Sequence, residues 1–293
     1  MAVRRPVRTA HRTELLGVPV DIIDSEDVLD FVASAAEQDR KAIVVNHNLH
    51  SIHLIRKNPD MAALYERADV IEIDSMPLIL WGKLLGAPVW RGYRSTYLDW
   101  REAFWAMAQA HGWRVFYLGG APGVAEEAAR RLVARWPGVE IATRHGYFDQ
   151  AKDSADNAAV VAEINAFAPH ILFVGMGMPI QEAWITQNYE DIEHGVVLPV
   201  GAAFDYEAGV QLAAPRVLGE LGLEWLFRLA CQPRRLFGRY MIEPWTLVGL
   251  ALKDLGRHLS GKKGAQTIRR IDLRPPLEVR EIILESGAAR LAA

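Results

Sequence analysis

Asp74 is the residue of this chain best placed to move a proton. It follows the apolar run Asp69-Val-Ile-Glu-Ile73, so it stands at the end of a strand, whereas Glu72 lies inside it. Glu72-Ile-Asp74 loosely matches an Asp-x-Asp metal pair, but that difference in position leaves Asp74 alone as the site candidate. A second cluster follows Ile171-Leu-Phe-Val174, where Gly175-Met-Gly177 makes a turn too tight for most side chains. A helix then begins near Pro179, with Gln181 and Glu182 in its first turn. Free backbone N–H groups at such a strand end suit a phosphorylated ligand. One glycine turn is also ordinary turn chemistry.

Apolar, β-rich runs at 41–45, 69–73, 114–118, 139–143, 170–174 and 195–200 alternate with helical segments at 49–67, 76–85, 97–111, 123–135, 155–167 and 180–189. The alternation predicts an α/β fold, a Rossmann-like and mainly parallel sheet with helices on both faces. Every one of these strands runs into a polar or glycine-rich loop: Asn46-His-Asn48, Asp74-Ser75, Gly119-Gly-Ala-Pro-Gly123, His145-Gly-Tyr147, Gly175-Met-Gly177 and Gly201-Ala-Ala-Phe-Asp205. In a parallel sheet these loops share one edge, so they can assemble one site.

Several chemistries are disfavoured. The nine histidines are scattered, and His47, His50 and His53 have no carboxylate at metal-ligand spacing. Neither a Gly-x-Ser-x-Gly elbow nor a Gly-x-Gly-x-x-Gly fingerprint after the first strands is present. What remains is Asp74 as general base, glycine loops for phosphates and arginines for a leaving group. That set suits transfer from a nucleotide-activated donor.

Charge divides the chain. Ten Lys and Arg between Trp225 and Arg270 face only Glu243 and Asp254, a balance of +8 in a protein of net charge −3. A basic C-terminal region on an acidic body points to an anionic partner. Arg228, Arg234, Arg235 and Arg239 stand there among Trp225, Phe227, Phe237, Tyr240 and Trp245, a mixture suited to an anionic membrane interface and to a diphosphate. The lone Cys231 excludes an internal disulfide and fits a reducing compartment. Met1–Val20 has no apolar core of signal-peptide length, and no later run has membrane-spanning length. The expectation is a cytoplasmic protein, peripheral on the inner face of the cytoplasmic membrane.

The expected organisation is a disordered leader over 1–12, a Rossmann-like catalytic domain over 13–213, a helical appendage over 214–258 and a poorly ordered tail over 259–293. Within the first domain, residues 14–23 read as a short hairpin, and Asp24 or Ser25 caps a helix to about Glu37. The appendage is expected to be separable, so that deletion from about Arg234 leaves a folded core.

The ordered series Asp74-Ser-Met-Pro, Arg94-Ser-Thr-Tyr-Leu-Asp99, Leu118-Gly-Gly-Ala-Pro-Gly123, Gly146-Tyr-Phe148, Val174-Gly-Met-Gly-Met-Pro-Ile-Gln-Glu182, Gly201-Ala-Ala-Phe-Asp205, Ala214-Pro-Arg216, Leu223-Glu-Trp225 and Pro233-Arg-Arg235 resembles the WecG/TagA/CpsF glycosyltransferases (glycosyltransferase family 26), from about residue 14 to 245. The resemblance implies an inverting, metal-independent transfer of a sugar from a UDP-sugar to a polyprenyl-diphosphate-linked sugar in cell-surface polysaccharide assembly. No cofactor beyond that donor substrate and no nucleic acid is implied. It places Asp74 at the base position, gives Arg94 to the diphosphate or acceptor, and puts Gln181 and Asp205 on the nucleotide sugar. The remaining donor-site candidates are Asn46, Asn48, Gly119, Gly120, Tyr147, Gly175 and Gly177; Arg228, Arg234, Arg235 and Arg239 are candidates for the acceptor or diphosphate. Two positions depart from the family pattern: Ser75 stands where Gly is usual and Asn46 where Thr is frequent. A serine at 75 must avoid positive φ or accept strain. The competing reading is a non-catalytic or regulatory UDP-sugar-binding protein, and a homo-oligomer stays open.

Overall fold

The computed structural model describes residues 10–215, 218–219, 222–261 and 267–269. The fold is α/β, as the alternation predicts. Six strands form one parallel sheet: β3 (Ala42–His47), β4 (Val70–Ile73), β5 (Arg114–Gly119), β6 (Glu140–Arg144), β7 (Ile171–Gly175) and β8 (Val196–Pro199). Their order is β4-β3-β8-β7-β5-β6. From β3 the chain moves outward to β4, while β5 to β8 lie on the other side. The strand order therefore reverses between β3 and β8, and a crevice opens outside their carboxyl ends.

Strand alternation sends side chains to two cores. Val115 and Tyr117 join Phe173, Trp105 and Phe204 on one face, under α1 (Ser25–Glu37), α5 (Tyr97–Ala110), α6 (Val124–Arg135) and α9 (Ala203–Glu207). Phe116 and Leu118 join Leu172, Leu64 and Trp184 on the other, under α3 (Pro59–Arg67), α7 (Ala155–Phe167) and α8 (Ile180–Asn188). Asp24 caps α1 in a reciprocal box with Asp27. The single helix expected over 49–67 is two, α2 (Leu49–Ile55) and α3. Pro59 pushes Asn58 out of the helical region, to φ −126° and ψ 100°, and then serves as the first residue of α3.

A second, antiparallel sheet flanks the first and corrects both expected ends. β1 (Ala10–Leu15) pairs with β2 (Val18–Ile22), so the leader boundary at residue 12 falls inside a strand. Arg12 holds it there, with Nε and Nη2 donating to the two carboxylate oxygens of Asp21 at 2.7 Å each. Asp21 Oδ2 also takes the Ile71 N–H of β4 at 2.7 Å. Within the segment expected as a poorly ordered tail, Thr267–Arg269 forms β9 and pairs antiparallel with β1. The rest of that segment beyond residue 261 lies outside the described residues, as does Arg216.

The C-terminal region is helical: Glu224–Cys231, Pro233–Phe237, a π-helical turn over Gly238–Ile242, a 3-10 turn over Glu243–Leu247 and the helix Val248–Leu259. It is tied into the body. Leu247 packs in the core formed by Leu15, Val20 and α4 (Met76–Leu84). Buried Asp254 accepts from Leu16 N at 2.6 Å, from Trp81 Nε1 at 3.2 Å and from Arg257 Nη2 at 2.5 Å. Deletion from Arg234 onward would strip these partners from the hairpin and from α4, which corrects the expectation of a separable appendage.

Candidate active site

Asp74 begins the loop after β4, its backbone N–H bonded to His47 O at 2.9 Å. Its carboxylate is half-buried. Asn48, which caps α2 through Oδ1 on Ser51 N at 3.0 Å, uses the other end of its amide, Nδ2, to donate to Asp74 Oδ2 at 3.3 Å. Burial pushes Asp74 up to about 6, against the pull of Arg94 and the Asn48 hydrogen bond and with the help of Glu224. A carboxylate poised there is ionised at neutral pH and still a competent proton acceptor. Ser75, one residue on, sits at φ −157° and ψ 119°. That is extended backbone, so the serine carries no strain at this turn.

Two cavities meet at Asp74. One, about 510 Å³, is the crevice at the strand-order reversal, and its lining includes Asn46, Gln181, Gly201, Tyr206, Arg228 and Arg235. The other, about 220 Å³, is lined by Leu49, Met76, Pro77, Trp225, Met241 and Pro244 beside Arg94 and Arg228. A third, about 820 Å³, continues the crevice across the glycine loops, with Gly120, Tyr147, Gly175, Gly177, Asp205 and Arg235 among its lining residues. The loops thus form one continuous edge, polar over the glycines and apolar beyond Asp74.

The glycine side depends on close backbone approach. A side chain at Gly119 would meet Gly175 O at 2.3 Å, and one at Gly175 would meet Tyr117 Oη at 2.0 Å. Tyr147 stands 73% exposed at the rim, an aromatic face free for a base to stack on. Asp205, at the start of α9, has a carboxyl raised by burial, with Arg235 pulling the other way. Gln181 is only 1% exposed. Its Oε1 accepts from Gly177 N at 3.1 Å and from Gly201 N at 3.2 Å, and its Nε2 donates to Glu182 Oε1 at 2.8 Å. The side chain bridges the loops after β7 and β8 and thereby positions them. α8 starts at Ile180, as the expected segment 180–189 has it, and Pro179 is its cap rather than a residue of its first turn.

The C-terminal arginines separate. Arg228 and Arg239 line both cavities at Asp74, and Arg235 lines the crevice and the glycine cavity. Arg234 is exposed and lines none of the three. Burial works against the Arg228 charge, but Tyr206, Tyr240, Asp74 and Glu224 outweigh it and hold the guanidinium more firmly charged than usual. Its Nε is buried without a hydrogen-bond partner. Arg94 is held between Glu224, at 3.2 Å from Nη2, and Asp99, at 3.3 Å. Glu224 is a site residue absent from the sequence candidates; its signal is a lone acid inside the Leu223-Glu-Trp225 block of an otherwise basic segment.

The histidines disperse. His47 Nδ1 meets Ser51 Oγ at 2.9 Å, His50 Nδ1 meets Glu243 Oε2 at 2.5 Å and His53 Nδ1 meets Thr246 Oγ1 at 2.7 Å. Among the described residues, no three metal-liganding side chains converge.

Comparison with known proteins agrees with this geometry. Residues 13–260 match the model of the Glycosyl transferase WecG/TagA/CpsF family. Similar proteins include the N-acetylglucosaminyldiphosphoundecaprenol N-acetyl-beta-D-mannosaminyltransferases of Staphylococcus aureus strains NCTC 8325 / PS 47 and COL. Each is 26% identical over 246 residues, spanning 80% of this chain and 91% of the relative. With the family model covering the sheet, the glycine loops, Asp74 and the arginine-bearing helices alike, this chain belongs to the WecG/TagA/CpsF family of glycosyl transferases.

Proposed function

We propose that this protein transfers a sugar from a UDP-sugar to a sugar carried on a polyprenyl diphosphate, with inversion and without a metal ion. The observation that carries the reading is the position of Asp74, where a polar crevice and an apolar cavity meet under Arg228 and Arg239. The nucleotide occupies the glycine cavity, with the base toward Tyr147 and the diphosphate toward Arg235 and the loop N–H groups. The acceptor enters from the apolar cavity. Asp74 removes the proton of the acceptor hydroxyl as that oxygen attacks the anomeric carbon. The bond from that carbon to the UDP oxygen breaks, the proton ends on Asp74, and the charge leaving on UDP is met by arginines. A single displacement inverts the anomeric centre. The Staphylococcus aureus relatives, named as acting on a diphosphoundecaprenol sugar, support this choice of acceptor.

A lipid-borne acceptor calls for a protein that reaches the membrane. Among the described residues, no helix is long and apolar enough to cross one. Beyond Pro77 and Pro244, which line the apolar cavity, Leu80 and Leu84 continue along α4, Trp245 stands on the 3-10 turn, and Val248 and Leu252 lie on the C-terminal helix, all exposed. These residues dock the protein on the inner face of the cytoplasmic membrane, with the cavity mouth toward the lipid. The test is a donor panel against a short-chain polyprenyl-diphosphate sugar, read by mass spectrometry, with UDP release followed in parallel. Acceptor-dependent UDP release with a product one sugar heavier is expected. UDP-sugar binding without any product would refute the transfer.

A further inference from the structure

A further cavity, about 650 Å³, reaches Arg94 but not Asp74, and the displacement makes no use of it. It shares Met76, Arg94 and Glu224 with the apolar cavity at Asp74, while Trp90, Arg91 and Asp99 supply the rest of its aromatic and charged lining. Trp90 is 62% exposed, yet its loop is fixed on both sides. Val89, one residue earlier, is buried in the core with Leu15 and Ile79. One residue later begins the 3-10 turn Arg91–Tyr93, closed by Tyr93 N donating to Trp90 O at 3.0 Å, and Arg94 then bridges to Ile73 at the end of β4. The indole itself is seated. Its six-membered ring lies where a side chain at Gly92 would stand, and the ring of Tyr93 meets it edge-on at 5.9 Å. A large aromatic ring held this way beside a cavity is a platform for a ligand.

The charges decide what the platform takes. Arg91 and Arg94 are matched by Asp99 and Glu224, so the lining is formally neutral. Arg94 already pairs with both carboxylates, at 3.3 Å and 3.2 Å. A phosphate would be repelled by those carboxylates, and a lipid chain would cover four charged groups without replacing their water. A sugar ring suits every group. Its C–H faces, slightly positive, pack on the negative face of an indole, and each hydroxyl both donates and accepts, so that it fits between a guanidinium and a carboxylate. A ring held here is not the one attacked, because the cavity does not reach Asp74. We propose that this cavity binds a second sugar ring of the acceptor, stacked on Trp90 and next to the ring that is attacked. This rests on the transfer reading above and adds that the acceptor carries more than one sugar.

Farnesyl-diphosphate acceptors carrying N-acetylglucosamine or chitobiose, and glucose or cellobiose, test it. Each is measured for Kd by calorimetry, and for kcat and KM by UDP release with the best donor of the panel above. In the better pair the two-sugar acceptor should bind at least about tenfold tighter, the scale of one well-seated tryptophan contact. Trp90→Ala should bring that ratio down toward one, whereas Trp90→Phe, which keeps an aromatic face, should retain most of it. Gly92→Ala keeps the indole but sets a methyl group in its seat, and should cut the ratio as well. A merely structural role for this loop would weaken both acceptors of a pair alike. Equal affinity for one- and two-sugar acceptors overturns the proposal, as does a ratio that Trp90→Ala does not move. If Trp90→Ala instead lost co-sedimentation with anionic vesicles and kept the ratio, Trp90 would be a membrane anchor and the proposal would fall. Tighter binding of two-sugar acceptors with no product from any donor would sustain the subsite and refute the transfer; no binding of any acceptor would overturn both.

Discussion

The carboxyl of Asp74 sets a measurable pH dependence for the proposed transfer. With its midpoint at about 6, roughly a tenth of Asp74 is ionised at pH 5 and roughly nine-tenths at pH 7, so kcat/KM should rise about tenfold across that interval. The neighbours supply a sharper test. Arg94 lowers the midpoint and Glu224 raises it, so Arg94→Gln should move the inflection to higher pH and Glu224→Gln to lower pH. Asp74→Asn should remove the inflection and cost about 10²- to 10⁴-fold in turnover while UDP binding persists. The assay is initial-rate UDP release with the lipid-linked acceptor, run from pH 4.5 to 9 in a constant-ionic-strength buffer. A profile flat through pH 6 in the parent, or an inflection that stays put in both neighbour variants, would refute Asp74 as the base.

Other perturbations have equally definite outcomes. Gln181→Ala removes the acceptor shared by the Gly177 and Gly201 N–H groups; it should cost about 1–3 kcal/mol in urea unfolding and raise KM for the donor. Because folding raises the Glu72 pKa from 4.5 to about 8, the folded state holds that proton more tightly. Its contribution to stability is complete below about pH 4.5 and is lost as pH rises to about 8. Glu72→Gln should accordingly flatten the fall in Tm between pH 6 and 9, as read by calorimetry. Activity should survive EDTA; loss on chelation, restored by Mg²⁺ or Mn²⁺, would make Glu72 and Asp74 metal ligands. Replacing Trp245 and Leu252 together by serine should weaken co-sedimentation with anionic vesicles by at least about tenfold, since each side chain is worth about 1.5–3 kcal/mol on full burial. Unchanged vesicle binding would place the membrane-facing surface elsewhere.

The sheet was legible because its inner strands are continuous apolar runs that lead into Gly-, Asn- or Asp-bearing loops, the pattern of strands buried on both faces; β6, at the edge, is only partly buried. The strand order was not, since nothing local to β3 or β8 says that they pair. The same division runs through the candidate site. Asp74 and the glycine loops announce themselves by position at strand ends. The ion pair of Arg94 with Glu224 spans 130 residues and can be seen only once the chain is folded. Gln181 was visible as a residue but not as a bridge, because its partners are backbone groups of two different loops. In the sequence, a place within a strand argues against Glu72 as a site residue; in the fold that strand ends at the crevice, and Glu72 lines it. The end of the chain is illegible in the sequence for a related reason. Gly- and charge-rich composition near residue 267 says nothing of the edge that β1 leaves open to it.

Asp254 closes the first hairpin from 238 residues away, at Leu16 N, and β9 completes the sheet that β1 begins. On the ribosome, the opening strands emerge long before their final partners exist. The parallel sheet can form while synthesis continues, but Arg228, Arg235 and Arg239 reach the crevice only after their helices emerge, and the Asp254 clasp follows later still. A nascent chain is consequently an open sheet with an unguarded edge, and its crevice still lacks the three C-terminal arginines. Catalytic competence and protection of that edge arrive near the end of synthesis.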